Sequence, residues 1–508
     1  MRGRWLWLLP FAVALGVAGA TRVCFPFDGL YGQDAFAYFR YARALWPHVF
    51  GGAPLPDLYW PIGYPVTVAL LLPLSGGGPG AGQIVNALSC AWAAAATALL
   101  VRGVERVDGK TGDDAWPALL AGLCVALSGA VLRSSQVVMA DGLALGAAAG
   151  ALFCVVRYVN DPRGPWLVAA ATSLAWGTAA RWIVGLLALP LCAYVLVHWG
   201  RALRVPLSAP RGRRWPWALA AVLVGAAAMV PVLAVAHSIP SSLERHEFLL
   251  GWSPRNALAR EFHTPEGHAI YRLPVSLFYL VRMGWPDYFF PALALFALAG
   301  AWSLMAQRRW ATSALLLGWP AVAWLLLSGI PFENPRFLLP TLPAIAALCG
   351  VGLASMRRRV ASRGRVLLTL FVVVALAAGV GFGAREHGRL VARKDADRDL
   401  VAWTAERLSP QGKLLIAGPS LAFQYYAAIS ARDLFSASNA EIDALVATGS
   451  PLFLLADVDE LEIQWPGLAP ERHFHALSQH PGLTVLGTHP PYTLFRVREN
   501  AKDQGERE

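Results

Sequence analysis

Up to about residue 384 the chain divides into apolar stretches of close to twenty residues, separated by short basic or Gly/Pro-rich connectors. A bilayer core takes roughly 20 apolar residues of helix per crossing, and every backbone polar group inside it must be satisfied within the protein. This pattern commits most of the chain to a bundle of membrane-crossing helices. Eleven runs are read, near residues 5–23, 81–101, 115–132, 139–156, 166–180, 182–199, 215–236, 287–306, 310–329, 337–355 and 366–383. Composition agrees: 15% of the residues are charged, against about a quarter in soluble proteins. The opening MRGRWLWLLPFAVALGVAGA also fits a signal peptide. Because ten further runs follow, an uncleaved first helix is the reading adopted.

The net charge of +11 raises the question of nucleic acid, which the distribution of charge answers. With the N-terminus inside, the cytoplasmic segments carry nineteen Lys and Arg against five acids, and the remainder is slightly acidic. This is positive-inside topology, and no nucleic-acid partner is expected. Alternation along the runs places the 24–80 loop, the 237–286 loop and the C-terminal tail outside. The expected location is the inner (plasma) membrane, multi-pass, with the C-terminal region extracytoplasmic. The six cysteines form no CxxC pair and five lie in apolar runs, as small core residues do.

Composition changes near Ala384, where Arg385–Asp399 turns charged. Residues 1–384 are read as the transmembrane domain and 385–508 as a small soluble α/β domain. In the latter, a helical stretch at Asp397–Leu408 alternates with short apolar strands at Lys413–Ala417, Pro451–Ala456, Leu483–Leu486 and Tyr492–Val497. Tyr64–Leu74 is too short to span and reads as a re-entrant or juxtamembrane helix on the outer face.

Chemistry is sought among charges that a bilayer makes costly. Asp34 follows the first apolar run at the head of an aromatic helix, Asp34–Leu45. Helical spacing turns Phe36, Phe39 and Leu45 toward lipid and Asp34, Tyr38 and Tyr41 toward another face. Aspartate also serves as an N-cap, so the cap is the competing reading, for Asp34 and for Asp141 at the outer end of the fourth run. Tyr59-Trp60-Pro61-Ile62-Gly63-Tyr64-Pro65 is a rigid turn bearing three aromatics; Tyr38, Tyr59 and Tyr64 are the aromatic candidates for substrate contact. Arg133, Arg181 and Arg336 stand on the outer side, apart from the cytoplasmic bases, either gripping an anion or snorkelling to headgroups. In the 237–286 loop, Glu244-Arg245-His246-Glu247 and His263-x-x-Glu266-x-His268 are read as solvated, and Tyr271, Tyr279 and Trp285 as aromatics over a donor site. His473-Phe474-His475 reads as surface. No metal ligand set is assigned, and a divalent ion is neither required nor excluded.

An outer-loop Asp helix, followed about 25 residues later by a Pro-Gly-Tyr-Pro element, resembles the GT-C membrane glycosyltransferases. The likeness is to bacterial relatives of protein O-mannosyltransferases and lipid A aminoarabinose transferases. Leu132-Arg133-Ser134-Ser135-Gln136-Val137-Val138-Met139-Ala140-Asp141, Thr178-Ala179-Ala180-Arg181-Trp182 and Asn334-Pro335-Arg336-Phe337-Leu338-Leu339-Pro340 extend it over residues 1 to about 385. The resemblance implies a GT-C-like fold and transfer, with inversion, of a sugar from a polyprenyl-phosphate donor to a glycan, lipid or protein acceptor outside the membrane. Asp34 matches the first-loop catalytic position, although Ala35 stands where many relatives carry Glu. In that reading Asp34 is the base, Asp141 assists, and Arg181, Arg336 and Arg133 hold the phosphate. The rival readings are a transporter or lipid flippase, disfavoured by the lack of an inverted repeat, and a ligase or polymerase using diphosphate carriers.

Overall fold

The structure, a computed structural model, describes residues 7–107, 115–203, 222, 226, 251–264, 267–409, 412–447 and 450–498. Among these, five helices are long and apolar enough to cross a membrane: Gly80–Val107 (α4), Asp141–Asn160 (α7), Trp310–Ser328 (α12 and α13), Pro335–Arg359 and Ser362–Ala405 (α15). A sixth crossing arises if Trp116–Ala126 (α5) and Gly129–Gln136 (α6), bent by 51°, are one span.

The eleven expected runs are therefore not all spans by length and composition. The first run is the shorter helix α1, Leu8–Cys24, and the runs at 166–180 and 287–306 are Gly164–Ala180 (α8) and Pro291–Ala306 (α11). The run at 115–132 breaks because Ser128 leaves the helix and caps the next one, its hydroxyl accepting from Val131 N. The run at 182–199 opens as a 3₁₀ turn, Trp182–Leu187, before Ala188–Leu203 (α9). Apart from residues 222 and 226, the run at 215–236 lies outside the described residues.

The bundle packs closely on small residues. Ala91, Ala94 and Ala95 of α4 and Ala144, Ala148 and Ala149 of α7 are buried, and such residues let helix backbones approach where hydrophobic segregation gives no drive.

Two short helices lie in the first loop: α2, Gly32–Gly51, and α3, Gly63–Leu71, which runs on as a 3₁₀ turn, Leu72–Ser75. The apolar face of α2 differs from expectation. Phe36 and Phe39 are 4% and 2% exposed, because Tyr425 and Tyr426 of the C-terminal domain cover them, with ring centroids 5.7–5.9 Å apart. Periodicity identifies an apolar face but not its cover.

Helix α15 is continuous for 44 residues and carries the chain through the charged stretch at Arg385–Asp399. Beyond it a five-stranded sheet has the order β4-β3-β5-β7-β6. Lys413–Ile416 (β3), Ser430–Asp433 (β4) and Leu452–Ala456 (β5) are parallel; Thr484–His489 (β6) and Tyr492–Arg498 (β7) form an antiparallel edge. The parallel strands are joined through Ser420–Tyr426 (α16) and Asn439–Ala447 (α17). β4 was not expected from sequence, nor was the hairpin of Glu261–Thr264 (β1) and Gly267–Ile270 (β2). His473 is 5% exposed and bonded to Leu434 O and Asn439 Oδ1, so it is an internal tie, not surface.

Candidate active site

The site assembles where the helical bundle is interrupted at three points. Helix α6 ends at Gln136 and the chain runs through Val137–Ala140 before α7 begins at Asp141. Non-helical backbone at this depth needs partners, and α4 supplies them. Gln83 Nε2 donates to Phe27 O and Gln136 O (3.0 and 2.9 Å), and Asn86 Nδ2 to Val137 O and Met139 O (2.6 and 2.9 Å). Gly142 permits the approach, since a Cβ there would sit 2.8 Å from Asn86 Oδ1. Asp141 is thus fixed in the first turn of α7, where the helix dipole favours a carboxylate; it makes no side-chain cap.

Helix α8 stops at Ala180, and Arg181 is extended (φ −148°, ψ 119°) before the 3₁₀ turn. Its guanidinium meets Asp141, Nη2 to Oδ1 at 2.6 Å, with the two side chains only 7% and 2% exposed. The rigid turn seen in sequence packs on the same backbone: a Cβ at Gly63 would lie 2.6 Å from the Ala179 carbonyl carbon. That approach stations Trp60 over Arg181, 5.6 Å from guanidinium carbon to ring centroid, with Phe337 at 5.2 Å. Arg181 Nε has no hydrogen-bond partner among the described residues.

The third interruption is Asn334-Pro335-Arg336. Asn334 caps the 3₁₀ turn Pro335–Thr341, its Oδ1 accepting from Arg336 N (3.1 Å) and Arg336 Nε (3.3 Å); Pro335 suits the first helical position. The turn aims Arg336 at Asp34, Nη2 to Oδ2 at 3.5 Å. The Trp60 indole donates to Asp34 Oδ1 at 2.8 Å. Asp34 does not cap its helix: Tyr31 holds that place and Asp34 lies in the first turn. Its carboxylate is 29% exposed and faces a cavity of about 360 Å³.

The walls of this cavity bring together Asp34, Asp141, Arg336 and Arg133, and add two residues that sequence reading missed, Arg282 and Asp287. Asp287 Oδ2 receives Arg133 Nη2 at 2.8 Å and lies 3.6 Å from Arg282 Nη2. Behind Arg181 a second cavity of about 250 Å³ is apolar, lined by Trp60, Trp182, Leu186, Leu327, Ile330 and Phe337 among others. The Asp141–Arg181 pair therefore joins the two chambers, Asp141 lining the charged one and Arg181 the apolar one.

Two family models match the sequence in succession: the dolichyl-phosphate-mannose-protein mannosyltransferase model over residues 78–235 and the Alg9-like mannosyltransferase model over residues 266–393. Among solved structures, ArnT from Cupriavidus metallidurans bound to undecaprenyl phosphate superposes with a TM-score of 0.63 at 15% identity, covering 98% of this chain and 99% of that one. Its apo form gives 0.61 at 15% identity, covering 97% of each chain. The Archaeoglobus fulgidus oligosaccharyltransferase tethered with an acceptor peptide gives 0.56 at 13% identity, covering 99% of this chain and 75% of that one. The chain has the GT-C fold. Both family models are of glycosyltransferases, and the apolar helices make this a membrane protein. Sequence comparison with proteins of curated function gives no significant match.

Other residues singled out in sequence take different places in this GT-C chain. Tyr38 and Tyr64 line neither cavity; they pack edge to face (5.2 Å) and are 2% and 0% exposed. Burial pushes the Tyr38 hydroxyl well above its usual range. Tyr64 donates to Gly82 O and accepts from Asn86. Tyr59 lies edge-on to Trp60 (4.8 Å) and is likewise outside both linings. Tyr279 is sealed, donating to Phe332 O and accepting from Asn334 N. Glu244–Glu247 and Glu266 lie outside the described residues. On the β1–β2 hairpin, His263 and His268 stack at 4.2 Å beside Glu261. None of these three lines the Asp34 cavity.

Proposed function

We propose that this chain transfers a single sugar from a polyprenyl-phosphate donor to an acceptor hydroxyl on the extracytoplasmic side of the inner membrane. The observation that carries the reading is the division at Arg181. The exposed Asp34 carboxylate lines a charged cavity, and Trp60, which donates to it, also lies over Arg181 in the wall of an apolar chamber, an arrangement suited to a substrate with an ionic head and a hydrocarbon tail. ArnT, the full-length structural match, was solved with undecaprenyl phosphate, a ligand of that chemical form.

Asp34 is the general base. Of the two carboxylates it is the exposed one, 29% against 2% for Asp141, and a base must reach the proton that it takes. The acceptor oxygen attacks the anomeric carbon while its proton passes to Asp34. The bond from that carbon to the phosphate oxygen breaks on the opposite face, inverting the centre, and its electron pair leaves with the polyprenyl phosphate. Arg336 and Arg181 stabilise the departing charge in a site of low dielectric, where one placed donor is worth about 3–4 kcal/mol. Asp141 holds the Arg181 guanidinium in place. Trp60 holds Asp34 Oδ1, and Oδ2, which faces Arg336 at 3.5 Å, is the oxygen that takes the acceptor proton.

The distribution of basic segments supports an orientation with the N-terminus cytoplasmic and residues 385–508 as an extracytoplasmic domain. The Arg133–Asp287–Arg282 cluster lies in the same cavity and favours a second anionic group there, on a diphosphate carrier or on a phosphorylated acceptor. The test is purified protein in nanodiscs with a polyprenyl-phosphate sugar, followed by mass spectrometry of acceptor lipids and glycans. One added hexose-sized increment supports the reading. Transfer of a whole glycan chain, or movement of lipid across the bilayer without any bond change, overturns it.

A further inference from the structure

Helix α2 enters its first turn without a local restraint. Gly32 has φ +70°, a region favourable to glycine, and the N-cap Tyr31 gives no side-chain hydrogen bond. Trp60 and Arg336 hold the Asp34 carboxylate itself, and the backbone turn that carries it is held from elsewhere. The adjacent residue, Gln33, is nearly saturated with bonds, all to the C-terminal domain. Its Nε2 faces Gly418 O at 2.8 Å, Ser420 Oγ at 3.2 Å and Asp433 Oδ2 at 3.3 Å, and its Oε1 accepts from Leu421 N at 3.2 Å. At the same time Gln33 lines the Asp34 cavity.

These partners have a common origin. Gly418–Leu421 follows β3 and Asp433 ends β4, so Gln33 sits at the carboxyl ends of parallel strands, the edge where open α/β sheets take their ligands. Here the edge takes the amide of the protein's own membrane domain. The rest of α2 is gripped along the same side. Tyr425 and Tyr426 close on Phe36, Arg40 donates to Gln424 at 3.3 Å, and Lys394 Nζ lies over the rings of Phe36 and Tyr426 at 4.6 and 4.2 Å.

From this we infer that Gln33 is a positioning residue for the proposed transfer: the C-terminal domain holds it and thereby aims the Asp34 carboxylate at the acceptor. The inference rests on the reading of Asp34 as base. It assigns the soluble domain a part in the chemical step beyond packing, because a displacement of about 1 Å in a reacting group can cost on the order of a hundredfold in rate.

The test uses full-length protein in nanodiscs with a polyprenyl-phosphate sugar, reading kcat and donor KM separately. Gln33→Ala should lower kcat by about tenfold or more and leave the donor KM within about twofold, since Arg181 and Arg336 are untouched. Gln33→Glu sets a carboxylate against Asp433 and should lose at least as much. Adding Asp433→Asn returns a donor to face it and should recover most of that loss, a rescue that a general loss of folding would not give. Hydrogen exchange of residues 30–36, measured without donor, should quicken in Gln33→Ala and Gln33→Glu and slow again in the exchanged pair. Unchanged kcat and exchange in Gln33→Ala, or no rescue by the exchanged pair, would overturn the inference. Asp34→Asn is assayed alongside: if it transfers at the full rate, the base assignment fails, whereas its inactivity beside an active Gln33→Ala removes only the positioning role.

Discussion

The Arg181–Asp141 pair allows stability and catalysis to be separated. Both side chains are nearly sealed and 2.6 Å apart, so neither can be discarded without stranding a charge. Removing one partner of such a pair costs about 3–5 kcal/mol, while replacing both by neutral residues of similar volume is often close to neutral. Arg181→Met also forfeits the guanidinium contacts with Trp60 and Phe337, each worth up to about 2 kcal/mol at so buried a site. Arg181→Met and Asp141→Asn should each lower the melting temperature in detergent by several degrees. The double variant should melt nearer the wild type than either single one. Transfer should follow a different order. The double variant, although refolded, still lacks the phosphate-facing cation and should stay about 10²–10³-fold below wild type in kcat. Additive losses in the double variant would refute the buried-pair argument, and recovery of transfer along with stability would refute the phosphate role of Arg181.

Three further outcomes follow from the geometry. Trp60→Phe removes the 2.8 Å indole bond to Asp34 and should lower kcat about tenfold with little change in donor KM, as expected for loss of a hydrogen bond to a charged group; an unchanged kcat counts against that bond. Leu186→Trp fills the apolar chamber and should raise KM for a long polyprenyl donor far more than for a short-chain analogue; equal effects on both would place the tail elsewhere. Burial pushes the Glu333 carboxyl up to about 7. The folded protein then keeps that proton to higher pH than the unfolded chain, so stability is lost as pH rises from the ordinary glutamate range through 7. Glu333→Gln should raise the melting temperature at pH 8 and leave it unaltered at pH 4, checked by melting at both values.

Much of the site was legible because bilayers make charge conspicuous. Asp34, Asp141, Arg181 and Arg336 stood out as ionisable groups at the ends of apolar runs, and the structure brings them together. What sequence could not supply was partnership. Asp287 opens the run at 287–306 directly after Trp285-Pro286, and nothing in the sequence marks Arg133, in a separate apolar run, as its partner. Gln33 is neutral, and its meaning lies in a strand edge about 400 residues away. Phe36 and Phe39 were read as lipid-facing for the same reason: spacing fixes a face, and only tertiary structure decides whether lipid or Tyr425 covers it. Hydropathy also gave no sign of where an apolar run breaks: the run at 115–132 stops at Ser128, whose hydroxyl caps the next helix, a contact visible only in three dimensions.

The central claim is that Asp34 takes the acceptor proton. Its direct test is single-turnover transfer from a polyprenyl-phosphate sugar by Asp34→Asn, which keeps the shape and the Trp60 bond but cannot accept the proton. Donor binding should stay within about threefold of wild type and the rate should fall by about 10²–10⁴-fold, the range that general bases supply. Transfer by the variant at an undiminished rate would contradict it.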